Sequence, residues 1–263
     1  MLFHVRSWTV SAASALVIVA MALAATGACA QTFDVKQLEV KRGSLELGLD
    51  NTVHRGVPHD RGADVNRSAH DQSLDYGLRD WWRLSAALTL ENPEKVDFRI
   101  AKTAVENLFV LKAIDNKRVR DIGLGWFTAV EASLHHDTTN SLIFGPIVTH
   151  KSGKLSLTAN PFFEKTFGRN HAEGIALNYG WQTKYEVRDG FAVGVEGFGV
   201  IENLGNSPPW PEQEHRIGPV IFTEIALARD FKITPDIGLL FGLTPATPDV
   251  ALKLNVGIPL HQR

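Results

Sequence analysis

A chain of 263 residues is long enough for one large β domain or two small ones. Its 27 basic and 29 acidic residues give a net charge of -2, which excludes the basic surface that binds nucleic acid or an anionic membrane surface. We therefore expect no nucleic-acid partner. The composition combines 22 glycines with one cysteine and two methionines.

Residues 1–30 have the pattern of an export signal. Arg6 precedes an apolar run over residues 8–25, and Ala28-Cys29-Ala30 resembles a cleavage site. A permanent membrane anchor is the alternative, because the run is almost long enough to span a bilayer. The small residues at its end favour cleavage, so the mature chain is expected to begin at Gln31. Such a chain contains no cysteine, which excludes disulfides and thiol ligands.

Residues 31–42 are a polar lead-in, and residues 43–263 alternate between apolar and polar side chains. Leu45, Leu47 and Leu49 share one face of the first segment, which is the period of a half-buried strand. Similar segments follow up to residues 250–260, and they predict twelve strands. In the segment 96–111 the apolar face switches near Thr103, which predicts a β-bulge there or a register error.

The connections between these strands fall into two kinds that alternate along the chain. Short turns on one side and long loops on the other are typical of a bacterial outer-membrane barrel. The long loops are expected at 54–69, 165–173 and 202–214, and the tight turns at 79–80, 151–153, 188–190 and 229–230. The sequence therefore predicts an all-β fold, a single antiparallel up-and-down transmembrane β-barrel of about twelve strands.

Several short motifs lie in the predicted strands and turns. They are Asp80-Trp81-Trp82, Gly145-Pro146, Phe162-Phe163-Glu164-Lys165, Phe167-Gly168, His215-Arg216-Ile217-Gly218-Pro219 and Leu240-Phe241-Gly242-Leu243-Thr244. These motifs resemble those of an uncharacterised proteobacterial outer-membrane β-barrel family. The resemblance covers nearly all of the mature chain and implies an outer-membrane location without an established activity. It also implies contact with outer-membrane lipid and lipopolysaccharide, and with the barrel-assembly machinery during insertion.

Charged side chains recur on the face that the alternation assigns to the lumen. They would either line a narrow pore for small polar solutes or pair across a closed interior and fill it. We therefore expect a narrow passive pore or an envelope structural protein. The candidate lumen-lining residues are Glu46, Glu91, Glu131, Glu164, Glu196, Glu224, Arg83, Lys184, Arg216 and Lys253.

Histidines concentrate at the predicted extracellular end, and several are followed by aspartate. Imidazole and carboxylate groups suit zinc, copper or nickel, so a metal-capturing or metal-transport surface protein is the alternative function. No fixed spacing such as His-x-x-x-His supports it. The candidate ligands are His54, His59, His70, His135, His136, His171 and His215.

A remote alternative is an outer-membrane lipid hydrolase, which would need serine and histidine on one outer face. His70 and Ser73 lie on opposite faces of their predicted strand, and no Gly-x-Ser-x-Gly motif is present. The sequence therefore predicts a protein that is not an enzyme and needs no cofactor.

Overall fold

The computed structural model describes residues 32–56, 66–93, 97–135, 139–169, 171–228 and 231–261. The predicted export signal, His59 and His136 lie outside these residues. Two short 3₁₀ helices, Leu204–Asn206 and Trp210–Glu212, follow the ninth strand. The strands are β1 (Leu45–Arg55), β2 (Asn66–Arg79), β3 (Trp82–Pro93), β4 (Arg99–Lys112), β5 (Arg120–Ser133), β6 (Asn140–Ser152), β7 (Leu155–Phe167), β8 (Ala176–Arg188), β9 (Phe191–Ile201), β10 (Glu214–Thr223), β11 (Ile225–Ala228), β12 (Phe231–Gly242) and β13 (Val250–His261).

The strands form one closed antiparallel barrel. Each strand pairs with the next along the chain, and the pairing of β1 with β13 joins the first strand to the last. β10 and β11 are two parts of one strand interrupted at Glu224, since both pair with β12 in a common register. Twelve positions around the barrel are therefore filled, which confirms the predicted fold. Closure leaves no unpaired sheet edge, as a lipid environment requires.

The connections are sorted between the two ends largely as the sequence predicted, except that the link 113–119 between β4 and β5 lies at the tight-turn end. The turn predicted at 229–230 lies outside the described residues. Tight turns join β2 to β3, β6 to β7 and β8 to β9 at one end, whereas longer connections, such as that between β9 and β10, lie at the other. The predicted bounds of the loop at 54–69 were wrong, because β1 continues to Arg55 and β2 already begins at Asn66. Both strands therefore extend beyond the apolar part of the wall.

The two faces of the wall differ in chemistry. The outward face carries exposed apolar side chains, for example Leu74 and Tyr76 on β2. The inward face carries polar residues, and Lys253 on β13 is only 1% exposed. The described residues contain no helix with the length and hydropathy to cross a membrane. The apolar exterior is the surface that contacts lipid.

A register shift interrupts the β3–β4 ladder close to the predicted face switch. Thr89 pairs with Lys102, whereas the next residue, Leu90, pairs with Ile100. Ala101 is therefore the extra residue of a bulge and is buried, 1% exposed. The shift lies two residues from Thr103 and explains why the apolar residues change face along this strand.

A charge on the outward face should destabilise the barrel according to its depth. Leu254 pairs with Asn51 and Ile237 near the middle of the wall. Leu254→Arg should lower the free energy of unfolding by about 2–4 kcal/mol, measured by urea unfolding in lipid vesicles. Leu260→Arg, on the same face but at the end of β13, is the control and should cost about 0–1 kcal/mol. Equal losses would contradict the orientation of this strand in the membrane.

Candidate functional site

The residues before β1 run through the inside of the barrel. Residues 32–43, called here the lumen segment, form no strand. At the tight-turn end, the Gly43 N–H donates to the Gly77 carbonyl over 2.7 Å. At the opposite end, the Thr32 hydroxyl donates to the Asp71 carboxylate. The segment predicted as a polar lead-in therefore spans the lumen from one end to the other.

Phe33 is the anchor of the lumen segment. Its side chain is 1% exposed. Its ring stacks on His54 with a centroid distance of 5.5 Å and lies 4.9 Å from the ring of Phe198. The Arg216 guanidinium sits 4.4 Å above the same ring, a cation–π contact. Because these partners come from β1, β9 and β10, the anchor site exists only in the closed barrel.

Wall glycines leave space for the middle of the lumen segment. A Cβ added at Gly125 would lie 2.4 Å from Leu38 Cδ2, and one at Gly123 would lie 2.7 Å from Leu38 Cδ1. Leu38 packs against an apolar cluster that includes Phe127 and Ile147. Without these glycines the segment would have to move away from β5.

Polar side chains of the wall replace the strand hydrogen bonds that the lumen segment lacks. Asn255 Nδ2 donates to the Phe33 carbonyl over 2.9 Å, and Asn160 Nδ2 donates to the Lys36 carbonyl over 3.2 Å. The Lys36 ammonium lies 3.3 Å from the Glu106 carboxylate. These contacts hold the segment by its backbone as well as by its side chains.

Candidate lumen residues form ion pairs of two kinds. Lys253 Nζ on β13 lies 3.0 Å from Asp236 Oδ1 on the neighbouring β12, and it also lies 2.6 Å from Glu196 Oε2 on β9, two strands further on, so that pair bridges part of the lumen. The other pairs join adjacent strands or residues of one strand, rather than crossing the lumen. They are Arg83–Asp75 at 3.6 Å, Arg99–Glu91 at 2.7 Å, Lys102–Glu131 at 2.7 Å and Arg216–Glu214 at 2.7 Å.

The remaining candidate lumen residues have other partners. Glu164 accepts hydrogen bonds from the Ser141 hydroxyl at 2.7 Å and from Asn178 Nδ2 at 2.6 Å. The Lys184 ammonium lies 5.0 Å above the Phe222 ring. Glu46 pairs in register with Asp75 and Pro259 on the neighbouring strands. Glu224 lies at the rim, where its half-exposed side chain pairs with Lys232.

An acidic strip on β1 and β2 was missed by the sequence analysis. Asp50 is the register partner of Asp71, and Glu46 is the register partner of Asp75. Like charges directly opposite one another are unfavourable in a sheet. The alternation placed Asp50 on the inner face, but the pairing of the two strands was needed to bring these carboxylates together.

The described candidate metal ligands are not brought together. Among the residues that the structure describes, no three histidine, cysteine or acidic side chains form a group that could hold a metal ion. His215 Nδ1 is 2.7 Å from the Tyr179 hydroxyl, and its ring stacks on Trp210 at 3.9 Å. His171 Nδ1 lies 2.9 Å from the Gly168 carbonyl. His54 contacts Phe33 inside the lumen, whereas His135 lies at the end of β5, beside Ser133.

Solved structures of bacterial channels share this fold. The "COG4313 outer membrane channel from Pseudomonas putida F1" has a TM-score of 0.60 at 9% identity and covers 87% of this chain and 100% of that one. The KdgM porin "in complex with disordered oligogalacturonate" has a TM-score of 0.53 at 10% identity, over 82% of this chain and 99% of that one. The NanC porin has a TM-score of 0.50 at 10% identity, over 82% and 100%.

No protein-family model matches the chain, and no curated protein matches it significantly. The likeness to the solved channels is therefore one of fold. A closed twelve-stranded barrel with an apolar exterior and a polar interior defines a porin-like β-barrel of the bacterial outer membrane.

Proposed function

We propose that this protein is a narrow passive channel for small polar solutes across the outer membrane. The observation that carries the proposal is that most of the ion pairs join neighbouring strands, whereas Lys253–Glu196 bridges β13 and β9. Pairs such as Lys102–Glu131 and Arg83–Asp75 lie along the wall, so wall side chains do not bridge the centre there. The centre is instead taken by a single segment that belongs to no strand. Passage through such a lumen requires no catalytic group and no cofactor.

The acidic strip supports a preference for small cations. Asp50 and Asp71 face each other across β1 and β2, and a local excess of one sign of charge concentrates the opposite ion. The oligogalacturonate of the KdgM complex is polyanionic, so we do not extend that ligand to this chain. Membership of the uncharacterised outer-membrane family rests on the motif resemblance alone and is part of this proposal.

Planar-bilayer recordings of the purified mature protein test the channel. We expect discrete conductance steps, and a reversal potential in a salt gradient that shows cation preference. The double variant Asp50→Asn with Asp71→Asn should reduce that preference several-fold, because it removes the acidic pair from the lumen with little change of shape. Glu224→Gln, at the solvated rim, is the matched control and should change it little.

Absence of conductance contradicts the channel proposal only when the lumen segment is not its cause. If neither the complete mature protein nor a variant without the lumen segment conducts, the channel proposal fails. The envelope structural role would then be the remaining interpretation. If the double variant Asp50→Asn with Asp71→Asn conducts with unchanged selectivity, the protein is a channel but the acidic strip does not set its selectivity.

A further inference from the structure

Three polar side chains meet on the outer face of the barrel, away from the lumen. Asn51 on β1 is the register partner of His70 on β2, and Ser68 lies two residues before His70, on the same face. Further along these faces the side chains become apolar, as at Leu49 and Leu74. The group therefore lies on the lipid-facing wall, in its long-loop half and within reach of the acyl chains of the outer leaflet.

Hydrogen bonds connect the three side chains in a fixed order. His70 Nδ1 lies 2.8 Å from Asn51 Oδ1, and His70 Nε2 lies 3.2 Å from the Ser68 hydroxyl. Asn51 Nδ2 donates to the carbonyls of Leu254 and Leu49, at 3.1 Å and 3.3 Å. Carbonyls only accept, so the Asn51 amide oxygen must be the atom that faces His70.

These hydrogen bonds determine the tautomer of His70. Asn51 Oδ1 can only accept, so Nδ1 carries the proton and Nε2 is left to accept a proton from Ser68. A serine hydroxyl, a histidine base and a third group that orients the base are the parts of a catalytic triad. Asparagine as the third member is a known variant of that arrangement.

The surroundings of Ser68 suit an apolar substrate. Ser68 is 3% and His70 is 9% exposed. The Phe98 ring lies 5.5 Å from the His70 ring and is itself 51% exposed, so it shields the pair and presents an apolar surface. A register shift between Asn66 and Ala69 interrupts the β2–β3 ladder beside Ser68. Bulges of this kind re-aim side chains and often adjoin active sites.

We infer that Ser68, His70 and Asn51 form a hydrolytic site for the carboxylic ester of an acyl lipid in the outer leaflet. Ser68 Oγ attacks the ester carbonyl carbon while His70 Nε2 takes the hydroxyl proton. The ester C–O bond then breaks, and His70 returns the proton to the departing alcohol. Water attacks the acyl-serine in the same way, which releases the fatty acid and restores Ser68. This activity is separate from the proposed channel.

Hydrolysis of p-nitrophenyl octanoate by the purified protein in detergent micelles tests the site. Ser68→Ala should lower the rate at least about 10³-fold, as loss of a triad nucleophile does. Ser73→Ala, on the inner face of the same strand, is the matched control and should leave the rate unchanged. Heat-dependent mobility on SDS gels reports whether each variant is folded. No hydrolysis by the native protein, or equal hydrolysis by Ser68→Ala, overturns the inference.

Two further measurements separate a catalytic group from a structural one. An alkyl fluorophosphonate should label Ser68 in the native protein, found by mass spectrometry, and should label it far more slowly in His70→Gln. Asn51→Asp keeps an oxygen that accepts the hydrogen bond from His70 Nδ1, whereas Asn51→Ala removes it. The aspartate variant should therefore retain more activity, and the difference should lie in kcat rather than in KM. Labelling that ignores His70 would show a solvated serine and overturn the inference.

Phospholipids and lipopolysaccharide both carry acyl esters, and vesicles distinguish them. Fatty acid released from phosphatidylethanolamine vesicles would identify a phospholipid substrate, and release from lipopolysaccharide would identify the acyl esters of that glycolipid. Release from neither would overturn the assignment of a lipid substrate. Phe98→Ala should change the rate on either source, since that ring covers the site.

Discussion

Deletion of residues 32–42 should raise the single-channel conductance of the barrel several-fold. The lumen segment occupies the centre from Gly43 to Thr32 and contributes no strand to the sheet. The wall keeps its own ion pairs when the segment is absent, so the barrel should remain closed and folded. Planar-bilayer recordings of the two proteins at equal salt give the comparison. An unchanged conductance would show that solutes pass beside the segment.

An engineered disulfide between the lumen segment and the wall provides the matched control for this deletion. Val35 Cγ2 lies 3.6 Å from the position of a Cβ added at Gly180, so cysteine side chains at these two positions would be neighbours. Val35→Cys with Gly180→Cys should hold the segment in place when oxidised and release it on reduction. The only cysteine of the natural chain, Cys29, lies in the predicted export signal. Conductance that is equal before and after reduction would show that the native contacts of the segment already hold it in the lumen.

Lys253→Met should lower the free energy of unfolding by about 3–5 kcal/mol. Lys253 and Glu196 are each 1% exposed, and Asp236 is the second carboxylate on the same ammonium. Methionine has a similar length but no charge, so the buried Glu196 and the partly buried Asp236 would lose their cation. Urea unfolding in lipid vesicles, followed by tryptophan fluorescence, measures the loss.

Glu196→Gln is the companion variant. It leaves Lys253 paired with Asp236, so the loss should be smaller, about 1.5–3 kcal/mol for one hydrogen bond to a charged group. If both variants cost the same small amount, water reaches this cluster and the lumen is more open than the buried pair indicates. That outcome would favour a permanently open pore.

The wall of the barrel was predictable because its signal is local. A strand in lipid must alternate apolar and polar side chains, and Leu45, Leu47 and Leu49 show that pattern directly. The bulge near Thr103 was also visible, since one extra residue reverses the faces. Predictions of this kind depend on neighbours in the chain, so one sequence is sufficient for them.

The site at Ser68 could not be predicted only from which face of a strand each residue lies on. The sequence predicted a long loop that includes residue 68, and the serine closest to His70 in the predicted strand was Ser73, which faces the lumen. The structure begins β2 at Asn66 and pairs it with β1. Polar strand ends resemble loops in sequence, because beyond the apolar belt no alternation marks them. Only the pairing shows that Asn51 orients His70 toward Ser68.

The sequence by itself determined the strands, their inward and outward faces and the sorting of the loops. The tertiary structure decided what occupies the lumen. Phe33 is buried by His54, Phe198 and Arg216, whose positions span about 160 residues of chain. No local pattern in a polar lead-in predicts such contacts, because the site that holds it forms only when β1 and β13 close the barrel.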